Sequence, residues 1–195
     1  MPLDRLLKLP KAPAPNDDPA SIKGNLPLKW KQLLVNILSF HVGDHPGSKV
    51  FGHDSAGKLR LVEVNYRKSD VPTDGGAEIA TAETIHEVTV AEGMLNAHGT
   101  LAGACAINFL DYCTFSTGFC HGFYSDRDGS GVSTHMNTNW HAPAMDGTNL
   151  RIVATSVSSG RIFICRAEMY NKDTGQILIS TTHTITPFEK PLAKL

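Results

Sequence analysis

Hydrophobic and polar positions along the chain mark one helical segment and several strand-like segments. From Lys29 to Phe40 the apolar residues recur at the three- and four-residue spacing of an amphipathic helix. Residues 57–68 and 79–91 alternate apolar and polar positions, as half-buried strands do. The same pattern recurs in four later segments, residues 131–141, 149–157, 161–170 and 176–187, with Gly-containing turns before and between the last three. We therefore predict six strands and a leading helix.

A second helix is predicted between the second and third strands. This part of the chain begins LNAHGTLAGACAINFLD, residues 95–111, and from Thr100 to about Gly118 it has no proline and is rich in small and apolar residues. Such a segment is typical of a helix buried on most of its surface, with Thr100 as its N-cap. An antiparallel sheet wrapped around this long central helix covers nearly all its faces, whereas a parallel doubly wound sheet needs more helices. We predict an α+β fold.

Length and composition indicate one soluble globular domain. The chain has 195 residues, of which 41% are hydrophobic and 19% charged, and its net charge of −1 gives no reason to expect binding to nucleic acid. The sequence contains no run of about 18 to 20 apolar residues, so no membrane span is predicted. We predict a mobile Pro-rich extension over residues 1–27, a single domain over 28–190 and a tail over 191–195.

The tail ends in Ala193, Lys194 and Leu195, a small, basic and leucine tripeptide close to the S-K-L signal for peroxisomal import. If the source is eukaryotic, this ending predicts a peroxisomal protein. The alternative is an ordinary C-terminus on a protein of the cytoplasm or mitochondrion.

Two residues of the second helix are candidates for chemistry. Gly103 lies in the first turn, where unpaired N–H groups and partial positive charge stabilise an oxyanion, although it can equally serve close helix packing. Asp111 has apolar and aromatic neighbours, so its carboxylate needs a partner or becomes a better base through desolvation. Eight positions separate the two residues, or about 12 Å along the helix, too far to act on one carbonyl. Two copies related by a two-fold axis, with these helices antiparallel, bring one Gly103 close to the other Asp111.

The same segment resembles a known family. Leu95, Asn96, Gly99, Thr100, Leu101, Gly103 and Asp111 match the pattern L-N-x-x-G-T-L-H-G-G, six further residues and D of the hotdog-fold acyl-CoA thioesterases, in their PaaI-like group. The resemblance extends over about residues 57–187. It implies a hotdog fold, a homodimer or homotetramer, and hydrolysis of an acyl-CoA thioester to free acid and CoA in lipid metabolism, with neither cofactor nor metal.

Carried over by position, the resemblance implies a role for each site residue. Asp111 is the general base or nucleophile, Asn96 and the Gly103 N–H hold the thioester carbonyl, and Ser133 helps position the attacking water. Arg161, beside Gly160 at a hairpin turn, meets the phosphates of coenzyme A, although a solvated arginine fits the same position.

The chain departs from the family pattern at two positions, with Ala102 in place of His and Ala104 in place of the second Gly. His98 is a candidate to replace the missing imidazole in substrate binding, and a surface role is the alternative. The departure leaves open a catalytically weak protein that binds acyl-CoA. A hotdog dehydratase is less favoured, since no D-x-x-x-x-H pairing stands at a helix start.

Polar residues also alternate along the third strand, at Ser133, His135, Asn137, Asn139 and His141. In a regular strand these side chains share one face, which would line a polar pocket or a solvated sheet surface. Zinc binding by His135 and His141 lacks a third ligand at a suitable spacing.

Overall fold

The protein is described by a computed structural model that covers residues 3–43, 50–69, 80–125, 129–160 and 162–188. Its α-helices are α1 (Leu28–Val42), α2 (His53–Ala56) and α3 (Gly103–Ser125), and its strands are β1 (Arg60–Lys68), β2 (Ala80–Thr89), β3 (Gly131–Trp140), β4 (Asn149–Ser159), β5 (Phe163–Asn171) and β6 (Ile177–Pro187). The two predicted helices and six predicted strands are present, and α2 is a short additional turn. Within these ranges no helix is both long and apolar enough to cross a bilayer.

The six strands form one antiparallel sheet in the order β1-β2-β4-β5-β6-β3. Helix α3 lies against β2, β4 and β5, and its residues Phe109, Leu110 and Cys113 are completely buried there. The predicted α+β hotdog fold, an antiparallel sheet wrapped around a long central helix, is confirmed. The order of the sheet does not follow the order of the chain at one point: β3 lies beside β6 rather than beside β4, so residues 141–148 cross from the sheet edge to its interior.

The two edges of the sheet differ in what covers them. At β1, the backbone N–H of Lys23 donates to Val62 O at 2.9 Å, and Val64 N–H donates to Lys23 O at 3.1 Å. At β3, no further strand follows among the described residues, and Val132 and Trp140 are 51% and 55% exposed. A long uncovered edge strand with exposed apolar side chains is suited to pairing with another chain.

Residues 3–27 pack on the domain, which differs from the expectation of an extension apart from the core. Leu6 is buried in the same cluster as α1. Asn16 is also buried: its Nδ2 donates to Leu59 O at 2.8 Å, and its Oδ1 accepts from Leu61 N–H at 3.0 Å. Composition misled here because a few isolated anchoring residues, with no helical or strand period, hold the segment in place.

Helix α3 begins later than predicted, at Gly103 instead of just after Thr100. Thr100 is not the N-cap, because it forms an isolated β-bridge with Met145 and its N–H donates to the Asn96 side chain at 3.3 Å. The helix also continues past Gly118 to Ser125. The turn over residues 95–101 is therefore a separate feature that leads into the helix.

Candidate active site

The first half of α3 presents Asp111, whose side chain is 36% exposed. Its Oδ1 accepts a hydrogen bond from Ser133 Oγ at 3.1 Å and lies 3.8 Å from His183 Nε2. Burial raises the pKa of Asp111 above its ordinary value, and the Ser133 hydrogen bond opposes part of that shift by stabilising the carboxylate. A carboxylate with a raised pKa is a better proton acceptor. The fold thus joins two predicted site residues, Asp111 and Ser133, to a histidine that was not predicted.

His183 on β6 is fully buried and hydrogen-bonded through one ring nitrogen. Its Nδ1 lies 2.7 Å from Thr114 Oγ1, and that hydroxyl donates to Leu110 O at 2.8 Å. Because the hydroxyl has only one proton, we assign the imidazole proton to Nδ1, which leaves Nε2 as an acceptor. Burial lowers the pKa of His183 to about 4, so the ring is neutral at pH 7. Nε2 has no hydrogen-bond partner among the described residues and is the atom that approaches Asp111.

One signal in the sequence could have identified His183. In β6 the buried residues Ile179, Thr181, His183 and Ile185 alternate with more exposed ones, so the histidine occupies an inward position of a strand. An inward histidine needs a partner when it is buried. Which partner it meets depends on how β6 lies over α3, and periodicity alone does not determine that arrangement.

The contact between Ser133 and Asp111 depends on a β-bulge in β3. Thr134 is an extra residue between Ser133, which pairs with the buried Ile185, and His135. Because directly paired residues lie on the same face of a sheet, Ser133 points inward and His135 points outward. The prediction that the alternating polar residues of positions 133–141 share one face is therefore wrong. The bulge shifts the alternation by one residue, so Ser133 is separated from the others.

The start of α3 borders a second group of predicted residues. Asn96 is held in the preceding turn, where its Oδ1 accepts from His98 N–H at 2.9 Å and its Nδ2 donates to Thr100 Oγ1 at 2.9 Å. Asn96 and Gly103 line a cavity of about 390 Å³ together with Trp140. A Cβ added to Gly103 would lie 3.7 Å from the Trp140 ring, an ordinary contact distance. Packing within one chain therefore does not require a glycine, which favours the explanation that Gly103 leaves room for a ligand.

The two groups do not meet within one chain. Asp111 lines a different cavity, of about 210 Å³, between α1 and α3. The eight residues from Gly103 to Asp111 correspond to about 12 Å of helix. Among the described residues, the predicted base and the residues predicted to bind the carbonyl therefore line separate cavities.

Comparison with curated proteins finds acyl-coenzyme A thioesterase 13. The protein of Homo sapiens is 29% identical over 106 residues, which cover 54% of this chain and 73% of that protein. The protein of Mus musculus is 28% identical over the same length. The chain is similar to the acyl-CoA thioesterases. No protein-family model matches it. The resemblance seen in the residues is confirmed, and it supports the prediction of a thioester hydrolase.

Solved structures of thioesterases share the fold. Thioesterase superfamily member 2 from zebrafish matches 80% of this chain and 98% of its own, with a TM-score of 0.58 and 21% identity. The same protein from Mus musculus matches 80% and 95%, with a TM-score of 0.56 and 24% identity. A hypothetical thioesterase protein from Streptococcus pneumoniae, in a structure with coenzyme A, matches 66% and 89% at a TM-score of 0.50 and 18% identity. At these identities the comparison supports the hotdog fold.

Three further residues were predicted to belong to the site: His98, Gly160 and Arg161. None of them is found at either cavity among the described residues. His98 is exposed in the turn, and its side chain lines neither cavity. The cavity that Gly103 lines is also lined by His141, whose Nε2 lies 2.8 Å from Ser180 Oγ. Gly160 is exposed at the β4–β5 turn, and Arg161 lies outside the described residues, as do the last residues of the chain, 189–195.

Proposed function

We propose that the protein is an acyl-CoA thioesterase in which Asp111 activates water at a site shared by two protomers. The observation that carries the proposal is the cluster of Asp111, Ser133 and His183 on the inner side of the sheet. It joins a half-buried carboxylate with a raised pKa to a neutral imidazole whose Nε2 is an unpaired acceptor. The two acceptors lie 3.8 Å apart, a separation that one water molecule can bridge, and the buried Nε2 would contact that water from the protein interior.

The proposed reaction begins with that water. Its oxygen attacks the thioester carbonyl while Asp111 accepts one of its protons, and Ser133 holds the carboxylate in position. His183 Nε2 accepts the second O–H and orients the water. The tetrahedral intermediate then expels coenzyme A as a thiolate, and the proton from Asp111 passes to that sulfur. Water and thioester are thus converted to a carboxylic acid and a thiol without a cofactor.

The carbonyl oxygen needs donors that lie beyond the reach of Asp111 in the same chain. A partner protomer that pairs with the uncovered edge at β3 can supply these donors. Trp140 at one end of β3 lies beside Gly103, and Ser133 near the other end contacts Asp111. Antiparallel pairing of two β3 strands about a two-fold axis brings the Gly103 end of one protomer to the Asp111 end of its partner. The Gly103 N–H and the Asn96 amide would then hold the carbonyl in both sites, in a homodimer or a dimer of dimers.

A hydrolysis screen tests this function directly. Acyl-CoA thioesters of graded length are incubated with the protein, and released thiol is measured with a chromogenic disulfide. We expect Asp111→Asn to remain folded and to lose at least about 100-fold in kcat/KM, the usual contribution of a general base. Asp54→Asn, at a carboxylate with 95% side-chain exposure, is the matched control and retains full activity. Equal rates for Asp111→Asn and the wild type would rule out the mechanism.

The finer assignments extend this proposal. Coenzyme A would lie with its phosphates near the β4–β5 turn, at Gly160 and Arg161, and the relative from Streptococcus pneumoniae solved with coenzyme A supports a nucleotide site on this fold. Loss of affinity for free coenzyme A in Arg161→Ala, measured by calorimetry, tests that position. Import into peroxisomes through Ala193, Lys194 and Leu195 is tested by imaging a fluorescent fusion with and without those residues; location in the cytoplasm or mitochondrion is the alternative.

A second candidate is an acyl-CoA-binding protein with weak turnover. It is favoured by Ala102, which stands where the resembling enzymes have His, and by His98, whose side chain is exposed outside the neighbouring cavity. Calorimetry of acyl-CoA binding, paired with the hydrolysis screen, separates the two functions. Tight binding with hydrolysis no faster than in buffer would select the binding protein.

A further inference from the structure

The cavity beside Asp111 has an apolar floor and a polar rim. Its floor includes Ile37 and Leu38 of α1 and Phe119 of α3, all buried. Asp111 stands on its rim, eight residues before Phe119 on the same helix. The hydroxyl of Ser116 also lines it but is already committed, since it donates to Tyr112 O at 3.0 Å. Arg5, His41 and Ser130 line the cavity as well, and His41 Nδ1 lies 2.8 Å from Ile37 O. The stretch suited to an apolar ligand is therefore the one between Ile37, Leu38 and Phe119.

The position of this cavity connects it with the proposed reaction. When the thioester carbonyl lies near Asp111 for attack, coenzyme A extends towards the solvent. The acyl group on the other side of the carbonyl then needs a separate binding site in the protein. Asp111, Phe115 and Phe119 all line the cavity, and this stripe of α3 runs about 12 Å from the partly exposed carboxylate to the buried Phe119. An acyl chain that enters it leaves water and covers the apolar floor.

We propose that this cavity holds the acyl group and that Phe119, at its floor, limits the substrate to saturated acyl groups of medium length. The inference rests on the proposed thioesterase function and specifies its substrate class. The volume of about 210 Å³ is roughly seven times the volume of about 30 Å³ that one water molecule occupies in the liquid, and we take a methylene as a group of that size. With the carbonyl at the rim, seven carbons beyond it correspond to an octanoyl thioester.

The test measures kcat/KM for saturated acyl-CoA substrates from acetyl to hexadecanoyl. Each methylene that enters the cavity is expected to raise kcat/KM about fourfold, until the cavity is filled near octanoyl. Longer chains gain nothing further or lose activity. A profile that rises steadily to hexadecanoyl, or one that is flat, would overturn the inference while leaving the thioesterase function in place.

A matched pair of variants identifies the residue that sets the limit. Phe119 and Phe123 lie one turn apart on α3, are 6% and 5% exposed and belong to the same hydrophobic cluster, but only Phe119 lines the cavity. Phe119→Ala is expected to move the preferred length beyond octanoyl by several carbons. Phe123→Ala is expected to leave it unchanged. Should either alanine variant fail to fold, Phe119→Leu and Phe123→Leu give a smaller shift in the same comparison, with circular dichroism as the check on folding.

The experiments distinguish a failure of the proposed thioesterase function from a failure of the proposed acyl site. If no thioester in the series is hydrolysed, the proposed reaction fails, and the cavity is then tested by calorimetry with acetyl-CoA and octanoyl-CoA. Octanoyl-CoA binding many-fold more tightly than acetyl-CoA, with the difference reduced in Phe119→Ala, upholds the acyl site. Equal affinities, or the same change in the Phe123→Ala protein, overturn it.

Discussion

Mixing two inactive variants tests whether each site takes its base and its carbonyl donor from different protomers. Asp111→Asn removes the proton acceptor. Gly103→Val places a branched side chain in the cavity at the helix start, where a Cβ meets the Trp140 ring at 3.7 Å and the fold itself tolerates it. Each variant alone is expected to be inactive in both sites of its dimer, because every site contains one defective half.

The expected recovery follows from the two-fold arrangement. A heterodimer of the two variants has one site with both defects and one site with neither. Random association of equal amounts yields heterodimers as about half of all dimers, so the mixture should recover about a quarter of wild-type activity.

The assay is thiol release after the two variants are co-expressed, or unfolded together in urea and refolded. Each variant refolded alone is the control for recovery of activity by refolding. Recovery near a quarter supports the shared site. No recovery, in a mixture shown by mass spectrometry of differently tagged chains to contain heterodimers, would refute it, since a site built within one chain cannot be complemented.

Two further substitutions and one change of pH have effects on activity or stability whose direction follows from the described contacts. Ser133→Ala removes the hydrogen bond that lowers the pKa of Asp111, so the acid limb of the kcat/KM profile should move to higher pH. Burial lowers the pKa of His86 to about 3, whereas the same side chain in the unfolded chain binds a proton near pH 6.5, so protonation favours the unfolded state below pH 6.5. The stability of the folded state should fall by up to about 1.4 kcal/mol per pH unit as the pH drops from 6.5 towards 3, measured by urea unfolding. Asn16→Ala leaves two buried backbone groups unpaired and should lower the free energy of unfolding by about 2–4 kcal/mol.

Each of these has a control in the chain. Thr134→Ala, at the exposed bulge residue, should leave the pH profile unchanged, and a shift equal to that of Ser133→Ala would contradict the assigned contact. His86→Gln should show a shallower loss of stability in acid than the wild type, and an identical slope would count against a neutral His86. Asn25 makes the same pair of hydrogen bonds to the Tyr66 backbone in an exposed position, so Asn25→Ala should cost less than about 1 kcal/mol. Equal losses for Asn16 and Asn25 would remove burial as the cause.

The fold was predictable because most of its elements are encoded locally. The spacing of apolar residues identified α1, a proline-free stretch of small and apolar residues identified α3, and alternation with Gly-containing turns identified the strands. The order of the sheet was less accessible, since nothing near β3 indicates that it pairs with β6. The packing of residues 3–27 depends on single anchors such as Asn16, whose amide matches two backbone groups that only the folded β1 region presents.

The candidate site was predictable where helical position and family resemblance coincide, at Gly103 and Asp111. It was not predictable where partners converge from distant strands. His183 is 72 positions after Asp111 in the sequence, and only the placement of β6 over α3 brings them to 3.8 Å. Ser133 was identified by resemblance, while the bulge that aims it was not, because one extra residue leaves no mark in an alternating polar pattern.

The extra residue in β3 has a consequence for reading the sequences of other proteins with this fold. Before Thr134 the odd-numbered side chains face the helix, and after it the even-numbered ones do. A protein whose corresponding strand is regular would carry its equivalent serine two positions before the residue that matches Met136, instead of three. An ungapped alignment would then match Ser133 to a side chain facing solvent, and the missing serine would be mistaken for the loss of activity.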